Sequence, residues 1–239
     1  IIDLASGKDP AQIAKRRLDQ YARDPEALVR DLREAKKDFE AILAVLGVNV
    51  GKTWGKKEVQ LPERKKYVKY TQNYKSRAIV DFDSAEILVE TLDDQDPQKS
   101  LKNAIVTTLL TPHDPRSVDL FSDKEIVLTD DKEPYLFGLV LDQRNKPIRS
   151  PEEAEPFAAY LLEKKYATRV VDQDGTKKTV HYATMAMVTN LPMKQAEKYR
   201  TLVHQFAQQY NISPSLVFAV IRTESNFNPY AVSSAPAYG

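Results

Sequence analysis

Apolar residues recur along this chain at two different spacings, and the switch between them predicts an α+β protein. Asp24 and Pro25 introduce a segment in which Leu28, Leu32, Ala35, Phe39, Ile42 and Leu46 fall at helical intervals as far as Gly47. Arg30, Arg33, Lys36, Lys37 and Glu40 occupy its other side, most simply a solvated face, and a shorter helix is expected upstream over residues 11–21. Between residues 67 and 92 the pattern shortens to alternation and β-branched runs, so that 67–71, 77–82 and 86–90 predict two or three strands. Pro97 opens a helix through Leu101, Ile105 and Leu109, which Pro112 and Pro115 interrupt, and another helix follows Pro151. Residues 168–171 and 179–189 are β-rich and flank Asp172-Gln173-Asp174-Gly175, a hairpin signal.

The strand pattern stops at Asn190-Leu191-Pro192, which predicts a boundary between a mixed domain over 1–190 and a helical region over 191–239. A helix over 194–210 carries Ala196, Tyr199, Leu202, Val203 and Phe206 on its apolar side, and Asn211-Ile212-Ser213 connects it to a final helix. Ser213 suits the cap of that helix and Pro214 its first position, where no backbone donor is needed. Counting back from Glu224 by helical steps gives Ile221, Val220 and Val217, so the carboxyl shares its face with three aliphatic side chains and is expected to point inward. Removal from water favours the neutral form of a carboxyl, which then serves as an acid near neutral pH. A second reading leaves Glu224 at the helix end in solvent beside Asn226 and Pro229; periodicity alone does not choose between them.

Composition narrows the classes of function. At 239 residues the chain exceeds the usual size of one domain, which favours two units. No apolar run approaches the roughly 18 residues of a membrane-spanning helix. With 35 basic and 34 acidic residues the net charge is +1, which offers no general attraction to nucleic acid. The absence of cysteine excludes disulfides and thiol nucleophiles and leaves the compartment open. Residues 47–53 superficially suggest a phosphate-binding loop, but three residues rather than four separate Gly47 from Gly51 and a helix precedes them, so no nucleotide is expected. His113, His181 and His204 lack metal-ligand spacing; no metal and no cofactor are expected. Trp54, Tyr67, Tyr70 and Tyr74 could stack on sugar rings, although core or sheet-face packing is the favoured reading, since aromatic residues suit strands for packing reasons alone. The basic run Arg64-Lys65-Lys66 reads as solvated.

Glu224-Ser225, then Phe227-Asn228-Pro229, then Ser233 nine residues after the glutamate and Gly239 fifteen after it, resemble the catalytic opening of the lytic transglycosylases, which cleave the glycan of peptidoglycan. The preceding helix, with Pro214, Leu216, Val217, Ala219, Val220 and Ile221 leading to Glu224, is similar to the same family, and residues 231–239 are most similar to its membrane-bound C branch. The resemblance covers 212–239, the last part of the chain. It implies a soluble-lytic-transglycosylase-type, goose-lysozyme-like catalytic domain of all-α fold, beginning near residue 191. The chain departs from the common pattern at Pro236, where glycine is usual. It reaches only the first residue of the Gly-Leu-Met-Gln segment, so most of a glycan groove is expected to lie in further sequence, and residues 1–239 are expected to be inactive by themselves.

For chemistry, the resemblance implies that Glu224 protonates the glycosidic oxygen between muramic acid and glucosamine residues and then, as a carboxylate, deprotonates the muramic C6 hydroxyl, closing a 1,6-anhydro ring without consuming water. Ser233 is implied to contact the glycan near its acetamido group, and Ser225, Tyr238 and Gly239 to line the substrate site, with Ser225 alternatively bracing the helix end. The implied partner is the peptidoglycan strand. The implied setting is the periplasmic face of the outer membrane, reached through a lipid anchor upstream of Ile1. Two alternatives stay open: a lysozyme-like hydrolase, which needs a further carboxylate or a positioned water where 225–239 contain neither Asp nor Glu, and a non-catalytic glycan-binding module.

Overall fold

The structure is a computed structural model that describes the backbone of residues 10–128 and 133–233, with side chains from residue 15 onward. The fold is α+β, and the chain divides into two compact units between Ile42 and Leu43. In the first, α1 (Pro10–Arg23) precedes the start of α2 (Pro25–Trp54). Asp24 accepts the Ala27 amide at 3.2 Å, and Asp31 accepts from Arg17 and Tyr21 at 3.1 and 2.8 Å. The apolar stripe predicted along α2 is present but not uniformly buried: Leu28, Leu32 and Ile42 are exposed, whereas Leu46 is fully enclosed.

The second unit begins with the last turns of α2, which overrun the stop expected at Gly47. Leu46, Val50 and Trp54 lie four residues apart, all fully buried with Val68, Tyr70, Leu92, Val171 and Val180. Burying a side chain of this size contributes about 1.5–3 kcal/mol, against about 1 kcal/mol lost for each glycine within a helix, so continuation past Gly47 and Gly51 is favoured. Residues 47–53 are thus helix, not an anion-binding loop. The helix stops at Gly55, whose φ is +89° and where a Cβ would stand 2.9 Å from the Asp172 carbonyl oxygen.

Three strands follow as a meander, β1 (Lys66–Thr71), β2 (Ser76–Asp81) and β3 (Glu86–Thr91). After two helices, α3 (Pro97–Leu109) and α4 (Pro151–Lys165), the chain returns as the hairpin β4 (Ala167–Gln173) and β5 (Thr176–Ala186). Gln173 pairs with Thr176 across Asp174 and Gly175, both at positive φ, as the hairpin signal predicts. β5 docks on β3 and completes an antiparallel sheet in the order β1-β2-β3-β5-β4. α3, capped by Asp96, packs across β2, β3 and β5, and α4, started by a Ser150–Glu153 capping box, packs on α3 and β5.

Charge is built into the sheet. Arg77 and Glu90, cross-strand partners with almost no exposure, pair at 2.6 Å; Arg169 reaches Glu90 at 2.9 Å, and both arginines bond to Glu58. The Arg77 guanidinium also lies 3.9 Å from the centre of a Trp54 ring. Arg169 beside Glu58 holds that carboxyl below its ordinary range.

Lys69 of β1 is buried and donates to the Ser122 carbonyl at 2.8 Å. Burial pulls its ammonium from 10.5 down to about 8, against the opposing charges of Asp119, Glu125 and Asp123. A base depressed in the folded state is less protonated there than in the unfolded chain within that interval, so Lys69 makes stability rise with pH from about 8 towards 10. Lys69→Met is expected to flatten this rise, as judged from urea midpoints at about pH 7.5 and 9.5. An unchanged pH slope would contradict the assignment.

Candidate active site

The terminal helices α5 (Leu191–Gln209) and α6 (Pro214–Ser225) pack against each other across the short expected connection. α5 starts earlier than predicted because Pro192 fits a first turn and Leu191 is buried. Its enclosed face runs through Leu191, Gln195, Val203 and Ala207, while Leu202 and Phe206, assigned to the apolar side, are about half exposed. Pro214 takes the first turn of α6 as predicted; Ser213 contributes its carbonyl to the helix rather than a side-chain cap. The helix ends with Ser225 Oγ donating to the Ile221 carbonyl at 3.2 Å, the bracing role. Asn226 then adopts the left-handed conformation (φ 48°), which asparagine tolerates better than most residues, and Phe227 follows at φ 60°.

This unusual turn is tied to the sheet. Asn226 Nδ2 donates to the Phe82 carbonyl at 2.6 Å, Asn228 Nδ2 to the Arg64 carbonyl at 3.1 Å, and the Val232 amide to the Glu63 carbonyl at 3.3 Å. Asn228 Oδ1 also accepts the Tyr230 amide at 3.0 Å. The Tyr230 ring packs against Tyr67 and Tyr135, at centroid distances of 5.1 and 5.2 Å, and its hydroxyl donates to the Pro112 carbonyl. Phe227 stacks on Tyr199 of α5.

The turn and α6 open onto a cleft of about 570 Å³ whose lining includes Glu224, Ser225, Ser233, Val220, Ile221 and Phe227. Arg64, His113 and Pro115 line it from the sheet-bearing part of the same unit. Glu224 Oε2 is 3.1 Å from Arg64 Nη1. Its side chain is 62% exposed and no residue of α6 is buried, so the inward-pointing acid expected from the helical face is not found. The aliphatic neighbours are where the spacing puts them, but Val220 and Ile221 wall an open cleft rather than fill a core. Partial burial pulls the neighbouring His113 imidazole below its ordinary value, with Lys198 adding to the effect.

Of the sequence-predicted site residues, Glu224, Ser225 and Ser233 share this one cleft. Tyr238, Gly239 and the departure at Pro236 lie outside the described residues. Trp54, Tyr67 and Tyr70 are sealed in the core and Tyr74 is partly buried against it, so packing rather than sugar stacking accounts for the first three. The run Arg64-Lys65-Lys66, read as solvated, does keep its side chains in contact with water, and they also pair with Glu224, Asp83 and Glu63. No sequence signal marks Arg64 or His113 as a site residue, and only the folding of the sheet brings Arg64 across 160 positions to Glu224. Among the described residues no three His, Asp or Glu side chains converge as metal ligands, and no helix is long and apolar enough to cross a membrane.

Comparison with known proteins places two matches end to end. Residues 26–198 match the family described as membrane-bound lytic murein transglycosylase C, N-terminal domain, and residues 201–239 match the transglycosylase SLT domain. The chain is similar to membrane-bound lytic murein transglycosylase C of Yersinia enterocolitica, 41% identical over 90% of this chain and 58% of that protein. It is also similar to the protein of that name from Yersinia pestis strain Pestoides F, 41% identical over 84% of this chain and 55% of the relative. The chain thus spans little more than half the length of these curated relatives.

Proposed function

Since the chain belongs to the membrane-bound lytic murein transglycosylase C family, we propose that the protein containing it cleaves murein strands between muramic acid and glucosamine without water, with Glu224 as both acid and base. The observation that carries this reading is the position of Glu224 at the rim of an apolar-walled cleft that also holds Ser233. A strand laid along those walls displaces the water around Glu224, and removal from water favours the neutral form that a carboxyl needs to give a proton to the leaving oxygen. Once ionised, the same group removes the proton from the muramic C6 hydroxyl, and ring closure yields the 1,6-anhydro end. Ser233, beyond the turn, orients the strand; Ser225 acts through the helix end. The protein's setting, on this reading, is the membrane-associated one that its relatives' names carry, facing the murein layer from the outer membrane.

Hydrolysis of the lysozyme type is the competing chemistry. It requires a second carboxylate or a held water opposite the acid, and among the described residues lining the cleft Glu224 is the carboxylate present. Digestion of purified murein by the full-length protein separates the two: anhydromuramyl ends in mass spectra are expected, and reducing muramyl ends in their place would overturn the proposal. The same digestion with residues 1–239 tests whether they are inactive by themselves.

A further inference from the structure

Among the described residues, the cleft is lined by two formally charged side chains, Glu224 and Arg64, and they are paired with each other. Arg64 is not carried on either helix of the glutamate's own helical pair. It approaches from the segment before β1, whose backbone is held by Asn228 at the Arg64 carbonyl and by Val232 at the Glu63 carbonyl. Its backbone is therefore fixed relative to the turn, while its side chain is about half exposed.

This pair differs in kind from the one within the sheet. Arg77 and Glu90 are both almost fully enclosed, so neither can change partner without leaving a charge stranded. Arg64 and Glu224 are both more than half exposed, and an ion pair of that sort is worth no more than about a fivefold factor in an equilibrium. An incoming anion can therefore take the guanidinium, whose planar fork suits a carboxylate.

Murein strands offer such an anion, because the peptide stems on muramic acid bear free carboxylates. Resting on the reading that a murein strand occupies this cleft, we infer that Arg64 is a specificity-determining residue that exchanges Glu224 for a stem carboxylate. In the free protein it holds the glutamate in an ion pair. When a stem-bearing strand binds, the stem carboxylate takes over Arg64, and Glu224, freed from the guanidinium, takes up a proton from solvent and faces the glycosidic oxygen. A strand without stems leaves the original pair in place, so the preference for stem-bearing murein and the freeing of the glutamate share one guanidinium.

The test compares the full-length protein with Arg64→Ala and Arg64→Lys on two substrates: intact murein strands, and the same strands after an amidase has removed the stems. The wild type is expected to favour stem-bearing strands by about fivefold in kcat/KM. Arg64→Ala should abolish that preference by raising KM on stem-bearing strands while leaving stem-free strands as fast or faster. Arg64→Lys, which keeps the charge and loses the fork, should retain part of the preference. An Arg64→Ala protein that keeps the wild-type ratio, or that slows equally on both substrates, overturns the inference. Thermal unfolding of each variant identifies any loss caused by misfolding, in which case the lysine variant decides. Glu224→Gln, assayed in parallel, separates the two levels: full turnover by that variant overturns the acid assignment, whereas an inactive Glu224→Gln beside an unchanged Arg64→Ala ratio removes only the role of Arg64.

Discussion

Glu224→Gln in the full-length protein is expected to lower murein turnover by about 10²- to 10⁴-fold, the range over which a positioned general acid or base contributes to rate. The amide keeps the shape of the side chain and one acceptor but can neither donate the required proton nor remove one afterwards. Stability should barely change, because the interaction lost in the fold is an exposed ion pair with Arg64, worth at most about 1 kcal/mol. Release of soluble fragments from purified murein measures the first effect and a urea melt the second. Near wild-type release from a folded Glu224→Gln protein would remove this residue from the chemistry; a large drop in stability would show that the carboxyl has a structural role that its exposure does not indicate.

The largest effect on stability is expected within the sheet of the same unit. Glu90 has no exposed surface and accepts from both Arg77 and Arg169. Removing one member of a buried pair typically costs about 3–5 kcal/mol, because the partner charge stays behind in a medium that cannot solvate it. Glu90→Gln leaves Arg77 to Glu58 at 3.3 Å and to the ring face of Trp54. A destabilisation of about 3 kcal/mol, or roughly 6–12 °C in Tm for a unit of this size, follows. Calorimetry checks it, with Arg116→Ala as a control whose ion pair lies on the surface. If Glu90→Gln melted within about 1 °C of the wild type, the network would not be the enclosed assembly described above.

Legibility in the sequence follows the range of the interactions. The hairpin at Asp174-Gly175 and the Pro214 helix start depend on neighbours within a few residues and are present, and the two or three strands read between 67 and 90 are three. The continuation of α2 past Gly47 is hidden because the partners that enclose Val50 and Trp54, Val171 and Val180 among them, lie more than a hundred residues further on. Likewise the pattern around Glu224 marks it for chemistry without revealing its exposure: a helical stripe records which side chains share a face, not whether that face meets a filled core or an open cleft. Arg64 is the least visible of all. A lysine- and arginine-rich run gives no indication of which member will be aimed at a carboxylate by the hydrogen bonds of Asn228 and Val232.

Those same bonds bear on what a protease would see. The link around Asn190, between the last strand and α5, is the natural place to nick the chain, yet the turn beyond α6 stays attached to the ends of β1 and β2 through Glu63, Arg64 and Phe82, and to Pro112 beyond α3. A cut there yields two peptides that migrate together until denatured. Grafting the glutamate helix and its turn onto another scaffold would require the edge strand to travel with them.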